Sequence, residues 1–225
     1  YNILKPWKKI NQGNMDISVN YNENILAGTR NGAGINLFTW LQFKNFSSIF
    51  AGAYVSPFDE LDYYEPRTAG RIYRRNEYYN LFGGYNSNQN KKLSFNLNTY
   101  SGITGRISPT IPANPWGGGS VFVNWRVGNR FTLSLGPDIH MDYGDRGWVN
   151  TEDDGTIVFG RRYLRNTTIN LDAEYVFMRD MTISLNSRHY WATGRYLGFY
   201  VLEEDGTLTD YINYGGYHDF SFNSF

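Results

Sequence analysis

Apolar and polar residues alternate along most of the chain. In residues 167–191, two runs of about a dozen alternating residues are joined by little more than Arg179-Asp180. A period of two predicts β-strands that have one apolar face. Comparable runs, some of them less regular, lie near 17–21, 35–43, 46–55, 78–86, 93–98, 121–127, 131–143, 169–177, 181–188 and 218–225. The pattern therefore predicts an all-β protein with about ten strands.

Short and long connections alternate between these runs. Short ones fall at 44–45, 87–91, 128–129 and 179–180, and long ones fall near 22–32, 56–76, 102–117, 144–166 and 192–217. Bacterial outer-membrane barrels have this asymmetry, with short periplasmic turns and longer outer loops. Some predicted strands also exceed the ~5–6 residues usual in soluble proteins and reach the ~9–11 residues that cross a bilayer. We therefore predict an antiparallel up-and-down transmembrane β-barrel.

A soluble β-sandwich or barrel with its apolar residues inside is the alternative, because alternation alone does not fix which face is internal. The aromatic content of 18% favours the membrane barrel, whose interfaces carry aromatic girdles. No apolar run reaches the ~18 residues of a transmembrane helix. The chain has no cysteine, which excludes disulfides and thiolate metal sites. Its formal net charge is zero, which argues against a nucleic-acid partner because such proteins usually carry a basic surface.

Two of the long connections contain strong turn signals. Asp154-Gly155 and Asp205-Gly206 favour two-residue hairpin turns, so we predict hairpins that project the barrel wall outward. The acidic residues of these turns lack the spacing of an EF-hand loop. We interpret them as solvated turns and predict neither a metal site nor a cofactor.

The late strands carry ionisable residues at even-numbered positions. If the apolar odd-numbered residues face lipid, the even-numbered ones face the lumen, where they line a pore or form a network that fills it. Candidate lumen-lining residues are Arg126, Asp138, His140, Asp142, Asp172, Glu174 and Arg188. His140 with Asp138 or Asp142 is the one candidate carboxylate–histidine pair for acid–base catalysis. We favour a structural or pore-lining role and predict that the protein is not an enzyme.

Aromatic residues in the predicted loops are the second group of candidates. Trp116, Trp148, Trp191 and Tyr196 could stack on sugars, although packing within the loops or at the membrane interface is the favoured interpretation.

Three sequence motifs resemble a family of Gram-negative outer-membrane proteins. They are Glu65-Pro66-Arg67 followed by Gly70-Arg71, then Tyr200-Val201-Leu202 leading to Asp205-Gly206-Thr207-Leu208, and finally His218-Asp219-Phe220-Ser221-Phe222-Asn223. In that family, a barrel domain of unknown function follows a domain similar to family-9 carbohydrate-binding modules. The resemblance implies that residues 1–225 are one outer-membrane β-barrel domain from a longer chain, and part of a larger barrel.

The expected function is that of an outer-membrane β-barrel protein that binds or passes a small solute such as a saccharide. The alternative is a structural or partner-binding barrel with a filled lumen in an outer-membrane complex, and an outer-membrane hydrolase is the third hypothesis. The expected partners are outer-membrane lipid and either a saccharide or another outer-membrane protein, with no nucleic acid. The expected location is the bacterial outer membrane.

Overall fold

The computed structural model describes residues 1–25, 28–106, 108 and 111–225, and within these ranges it contains fourteen β-strands and no helix. The strands are β1 Asn2–Ile3, β2 Ile10–Asn24, β3 Thr29–Phe43, β4 Ser48–Ser56, β5 Glu60–Asp62, β6 Tyr73–Arg75, β7 Tyr78–Asn86, β8 Leu93–Thr104, β9 Asn114–Val127, β10 Phe131–Thr151, β11 Ile157–Met178, β12 Met181–Leu202, β13 Leu208–Asp210 and β14 Phe220–Ser224. The predicted all-β class is therefore confirmed.

Twelve strands form one antiparallel up-and-down sheet in the order β1-β2-β3-β4-β7-β8-β9-β10-β11-β12-β13, with β14 also paired to β12. Strands β13 and β14 pair with successive stretches of β12, at Tyr200–Leu202 and at Tyr190–Gly194. Strands β5 and β6 form a separate two-stranded sheet between β4 and β7. Among the described residues, the first and last strands of the large sheet do not pair, so the sheet is open.

The ten predicted strands correspond to β2, β3, β4, β7 to β12 and β14. The predicted long connections at 22–32, 144–166 and 192–217 are shorter in the structure, because strand pairing continues through much of each, and the hairpins predicted within the last two are confirmed. The two Asp-Gly turns explain the last two cases. The turn at Gly155 (φ 88°) joins β10 to β11, and the turn at Gly206 (φ 87°) joins β12 to β13. Strands β10 to β12 consequently reach 21 or 22 residues.

The register places even-numbered residues on one face and odd-numbered residues on the other along the middle of the sheet. Ser94, Asn124, Ser134, Asp172 and Asn186, for example, form one row across five strands. We call the two surfaces the even face and the odd face. Register shifts at 142/145 in β10 and at 161/162 between β11 and β12 mark where the regular alternation ends.

The odd face is apolar and largely uncovered. Exposed aliphatic side chains extend along it from β2 to β12, and they include Ile17, Val19, Ile35, Leu37, Ile49, Leu81, Leu97, Val121, Leu135, Ile183 and Leu185.

Aromatic rings on the even face lie over glycines of neighbouring strands. A Cβ atom added at any of these glycines would collide with the ring. The pairs are Tyr54 over Gly34, Phe82 over Gly52, Phe50 over Gly84, Trp116 over Gly102, Tyr100 over Gly118 and Phe122 over Gly136. This arrangement lets large rings lie close to the sheet. The even face is thus aromatic from β3 to β9, and its ionisable residues are concentrated from β10 to β12.

The buried core lies at the end of the sheet where the longer connections are found. It forms where residues 57–77 and Ile111, which precedes β9, meet the extended hairpins of β10 to β13. Its members are Tyr73, Ile111, Ile157, Phe159, Tyr200, Leu202 and Leu208, with Trp148 packed against them. This core fixes the 57–77 segment over one part of the sheet, where it roofs the candidate site.

Candidate functional site

A polar cavity of about 310 Å³ lies between the even face and the 57–77 segment. Strands β7 to β10 contribute Tyr78, Thr104, Asn114, Trp116 and Asp142. Residues of β5, of β6, of the short connection to β7, and of β10 beyond its register shift complete the lining, namely Glu60, Tyr73, Arg75, Asn76, Asp145 and Arg146. The volume is at the lower end of the range for small-molecule sites, which is ~300–1,000 Å³.

The 57–77 segment covers this cavity, and we call it the roof. Residues of the sequence motif at 65–71 hold the roof in place. The Glu65 carboxylate accepts a hydrogen bond from the backbone N–H of Trp148 at 2.8 Å. The Arg71 guanidinium donates to the carbonyl oxygen of Leu202 at 2.6 Å, and the Arg67 guanidinium lies 4.3 Å from the centre of the Trp148 ring. These contacts hold the 57–77 segment against β10 and β12, which is the structural role of the motif.

Two arginines of the cavity lining form hydrogen bonds or ion pairs that fix their side chains. Arg146 donates hydrogen bonds to the carbonyl oxygens of Gly105 at 3.1 Å and Pro112 at 2.8 Å. Arg75 forms a 2.7 Å ion pair with Asp62, outside the lining set. Burial raises the pKa of the Tyr73 phenol, although Arg146 beside it favours the ionised form. Tyr73 is therefore a neutral hydroxyl at physiological pH.

Asn114 is the most informative residue of the lining. Its side chain is 5% exposed, and its Nδ2 donates to the Asp142 carboxylate at 2.8 Å. Within the described part of the chain, the Oδ1 atoms of Asn114 and Asn76 and the Nε of Arg146 are buried without a hydrogen-bond partner. These three atoms belong to residues that line the cavity from the sheet (Asn114), from the 57–77 segment (Asn76) and from the far part of β10 (Arg146). Buried polar atoms are rarely left unpaired, so the three are candidate hydrogen-bonding groups for a ligand or water.

The seven predicted lumen-lining residues all lie on the even face, but they do not form one site. Asp142 is the member of that set that lines the cavity. Arg126 instead donates to the carbonyl oxygens of Gln89 and Lys91, at 2.7 and 2.8 Å, which anchors the β7–β8 turn.

Two other members of that set, Asp172 and Glu174, line a separate cavity of about 180 Å³ toward the short-turn end. Arg188 is also distant from the large cavity, and its guanidinium lies 6.0 Å from the centre of the Tyr190 ring.

His140 does not form the predicted pair with an aspartate. In the described ranges, its hydrogen-bond partner is the Tyr100 hydroxyl, 3.0 Å from Nδ1. Asp138 and Asp142 occupy the adjacent even-face positions of the same strand, and their carboxylates make no hydrogen bond to the imidazole there. Gly118 lies between Tyr100 and His140 in the sheet and leaves room for this contact.

The four aromatic residues predicted for loops all lie in strands, which corrects that assignment. Trp116 belongs to β9, Trp148 to β10, and Trp191 and Tyr196 to β12. For Trp148, Trp191 and Tyr196 the error follows from the length of β10 and β12, and for Trp116 it follows because β9 begins at Asn114, inside a predicted loop. Trp116 lines the cavity and Trp148 packs against the core.

The remaining two aromatic residues lie away from the cavity. The Tyr196 hydroxyl accepts a hydrogen bond from Arg162 at 3.2 Å, and Trp191 contacts the His189 ring with the ring centres 3.7 Å apart.

The aspartates of the two Asp-Gly turns accept hydrogen bonds from residues of the same turn. Asp154 Oδ1 accepts from the Thr156 N–H at 2.9 Å, and Asp205 Oδ1 accepts from the N–H and hydroxyl of Thr207 at 2.9 and 2.6 Å. No group of three His, Asp or Glu side chains in the described ranges is placed to hold a metal ion.

Comparisons with known proteins give one result. No curated protein and no solved structure is significantly similar to this chain. The structure also has no helix, over the residues it describes, that is long and apolar enough to cross a membrane. The family model for a domain of unknown function, DUF5916, matches residues 1–225. The chain therefore belongs to the DUF5916 family of domains of unknown function.

Proposed function

We propose that this domain is an outer-membrane β-barrel, with its odd face toward lipid and its even face toward the lumen, that binds or passes a small polar solute such as a saccharide. The observation that carries the proposal is the continuous exposed apolar surface of the odd face from β2 to β12. Monomeric soluble proteins rarely expose an apolar patch larger than a few hundred Å². A bilayer is the environment in which such a face is stable.

The stagger of the short turns supports a barrel. The last residue pair before the short turn is Gln42–Ser48 in β3–β4 and Met178–Met181 in β11–β12. When the position of the first pair is traced across the sheet through the strand pairing, it reaches Asn170 on β11, so the two turns lie at different heights. The shift is about eight residues over six strand-to-strand steps, which corresponds to a tilt of roughly 40° for a rise of ~3.3 Å and a spacing of ~4.8 Å. Membrane barrels tilt by ~35–45°.

Closure needs partners for the free edge of β12. Among the described residues, Met181 to His189 have no strand on that edge. We propose that further strands pair there, as the larger barrel expected from the sequence requires.

Aromatic residues at both ends of the odd face support membrane placement. Tyr85 contacts Phe95 and Phe131 contacts Tyr175 toward the short turns, with ring centres 5.6 and 6.5 Å apart. At the other end, Tyr143 contacts Tyr163 with ring centres 5.2 Å apart. Such girdles mark the two interfaces of membrane barrels.

The composition of the even face supports a polar, ring-shaped solute. Flat aromatic rings from β3 to β9 lie on the same face as carboxylates, amides and hydroxyls from β10 to β12. Sugars have apolar ring faces and polar edges, so a surface of this kind matches both.

Single-channel conductance in a planar bilayer tests the transport form of this proposal. We expect stable conductance steps whose cation preference falls in Asp172→Asn, because Asp172 lies on the even face. Asp153→Asn, at an exposed turn, is the matched control and should leave the steps unchanged. A protein that forms no channel at any voltage would contradict a conducting lumen.

A structural barrel with a filled lumen is the second candidate. The fastened roof at Glu65 and Arg71 favours it, because it covers part of the even face with fixed side chains. The exposed Ile212 and Tyr217 would then suit contact with another outer-membrane protein. The absence of channel conductance in planar bilayers, together with co-purification of one stoichiometric partner, would favour the structural barrel. The hydrolase hypothesis has the least support, and hydrolysis unchanged by His140→Ala would remove its one candidate.

A further inference from the structure

The roofed cavity has a more specific composition than the rest of the even face. We propose that it is a binding site for a single neutral saccharide ring, with Trp116 as its stacking surface and Asn114, Asn76 and Glu60 as hydrogen-bond acceptors. This proposal deepens the function proposed above and rests on it, since it takes the even face as the side from which solutes approach.

Hydrogen-bonding capacity is the first argument. Asn114 and Asn76 each have an Oδ1 without a partner in the part of the chain that the structure describes, and both residues line the cavity. The orientation of the Asn114 amide is fixed, because its Nδ2 donates to the Asp142 carboxylate. The unpaired atom is thus an acceptor, which calls for a ligand that donates, as hydroxyl groups do.

Charge balance is the second argument. Asp145 pairs with Arg162 at 2.6 Å, and Arg75 pairs with Asp62. The other charged residues of the lining are Glu60, Asp142 and Arg146, which form no ion pair among the described residues. The cavity therefore contains both negative and positive side chains. A fully charged ligand would meet a group of its own sign in this space, whereas a neutral polyol can donate to the carboxylates and accept from Arg146.

Ring geometry and size are the third argument. The Trp116 ring lies over Gly102, so the sheet covers one side of the ring while the residue lines the cavity. An indole placed in this way offers an apolar surface beside the acceptors. About 310 Å³ is small for a drug-sized ligand and suits one sugar ring.

Binding to the purified full chain in detergent micelles tests the site. The probes are methyl β-D-glucoside, glucosamine and glucuronate, titrated at pH 7 and followed by saturation-transfer NMR. We expect the neutral glucoside to bind at least several-fold more tightly than either charged sugar. Trp116→Ala should weaken binding about tenfold, the equivalent of ~1.4 kcal/mol. Trp125→Ala, which removes an exposed indole from the odd face, is the matched control and should bind as the parent chain does.

Two results would overturn the site: glucosamine or glucuronate binding while the glucoside does not, or Trp116→Ala binding as tightly as the parent. If Trp116→Ala does not fold, as judged by far-UV circular dichroism, Glu60→Gln replaces it. That variant keeps the acceptor for the Ser56 hydroxyl and should weaken glucoside binding several-fold. Sugar binding by a chain that fails to insert into vesicles would support the site and overturn the proposed function. Insertion without sugar binding would overturn the site alone.

Discussion

At the residue scale, single glycines decide which side chains can meet across the even face. Gly118 separates Tyr100 from His140, and a Cβ atom added there would lie 2.7 Å from the Tyr100 hydroxyl and collide with the Ile139 carbonyl oxygen. Gly118→Ala should therefore displace Tyr100, weaken its hydrogen bond to His140 and lower the free energy of unfolding by about 1–3 kcal/mol. Urea unfolding measures the loss.

The control for this change is Gly215→Ala, because nothing lies within 4 Å of a Cβ atom at Gly215. Its free energy of unfolding should stay within about 0.5 kcal/mol of the parent. Equal stability of Gly118→Ala and the parent would contradict the close packing described here.

Asp205 gives a pH-dependent prediction at the β12–β13 turn. Hydrogen bonds from the hydroxyl and N–H of Thr207 lower the pKa of this carboxyl. The group therefore stabilises the turn above the pKa of an unfolded aspartate, ~3.9, and this contribution is lost as the pH falls through the lower folded value. NMR titration of the carboxyl carbon should give a midpoint below the ordinary value, and Thr207→Ala should raise it. A midpoint at or above ~3.9 in the parent chain would refute this account.

The sequence predicted the face of each ionisable residue but not its partner. Alternation alone places Asp138, His140 and Asp172 on the even face, and the register confirms this. The contact between His140 and Tyr100 joins residues 40 apart through a glycine on the strand between them. Only the pairing register reveals such a contact, and no local pattern carries that information.

At the element scale, the roof over the cavity depends on a few long-range bonds. Arg71→Ala removes the 2.6 Å hydrogen bond to the Leu202 carbonyl oxygen, a bond from a charged donor worth about 1.5–3 kcal/mol. We expect faster hydrogen–deuterium exchange in peptides covering 57–77, with exchange at the β7–β8 turn unchanged. Lys91→Ala, at the opposite end of the sheet, is the control and should leave the roof protected. Unchanged exchange in Arg71→Ala would show that the core alone holds the roof.

The sequence predicted strand centres better than strand ends. The short turn at Arg179-Asp180 is confirmed, since β11 ends at Met178 and β12 begins at Met181. A two-residue connection restricts where the flanking strands can end, so its position is easy to predict. The hairpins predicted around Asp154-Gly155 and Asp205-Gly206 are confirmed, but the prediction does not show that their strands continue without a break into the neighbouring long strands. Their alternation is interrupted by register shifts such as the one at 142/145, and shifts of this kind are not visible in a linear pattern.

At the scale of the whole molecule, the odd face should tolerate no charge if it faces lipid. Leu81 is 63% exposed in the isolated chain, so in water Leu81→Arg would change stability by no more than about 0.5 kcal/mol. At the midplane of a bilayer the same change costs about 2–4 kcal/mol. We expect Leu81→Arg to fold poorly into lipid vesicles, as measured by protease protection.

Ile212→Arg is the control for Leu81→Arg, because Ile212 is 90% exposed in the 211–219 connection and outside the sheet. It should insert into vesicles like the parent. Equal insertion of both variants would mean that the odd face does not contact the bilayer core.

The central claim is that the odd face contacts lipid, and site-directed spin labelling tests it most directly. The chain has no cysteine, so single cysteines can be placed at each position from Ile169 to Tyr175 on β11 without further changes. In vesicles, labels at odd positions should be accessible to oxygen and shielded from a water-soluble nickel chelate, and labels at even positions should not share this pattern. An oxygen accessibility with a period of two would support the barrel, and odd positions that are as accessible to the nickel chelate as a soluble surface would contradict it.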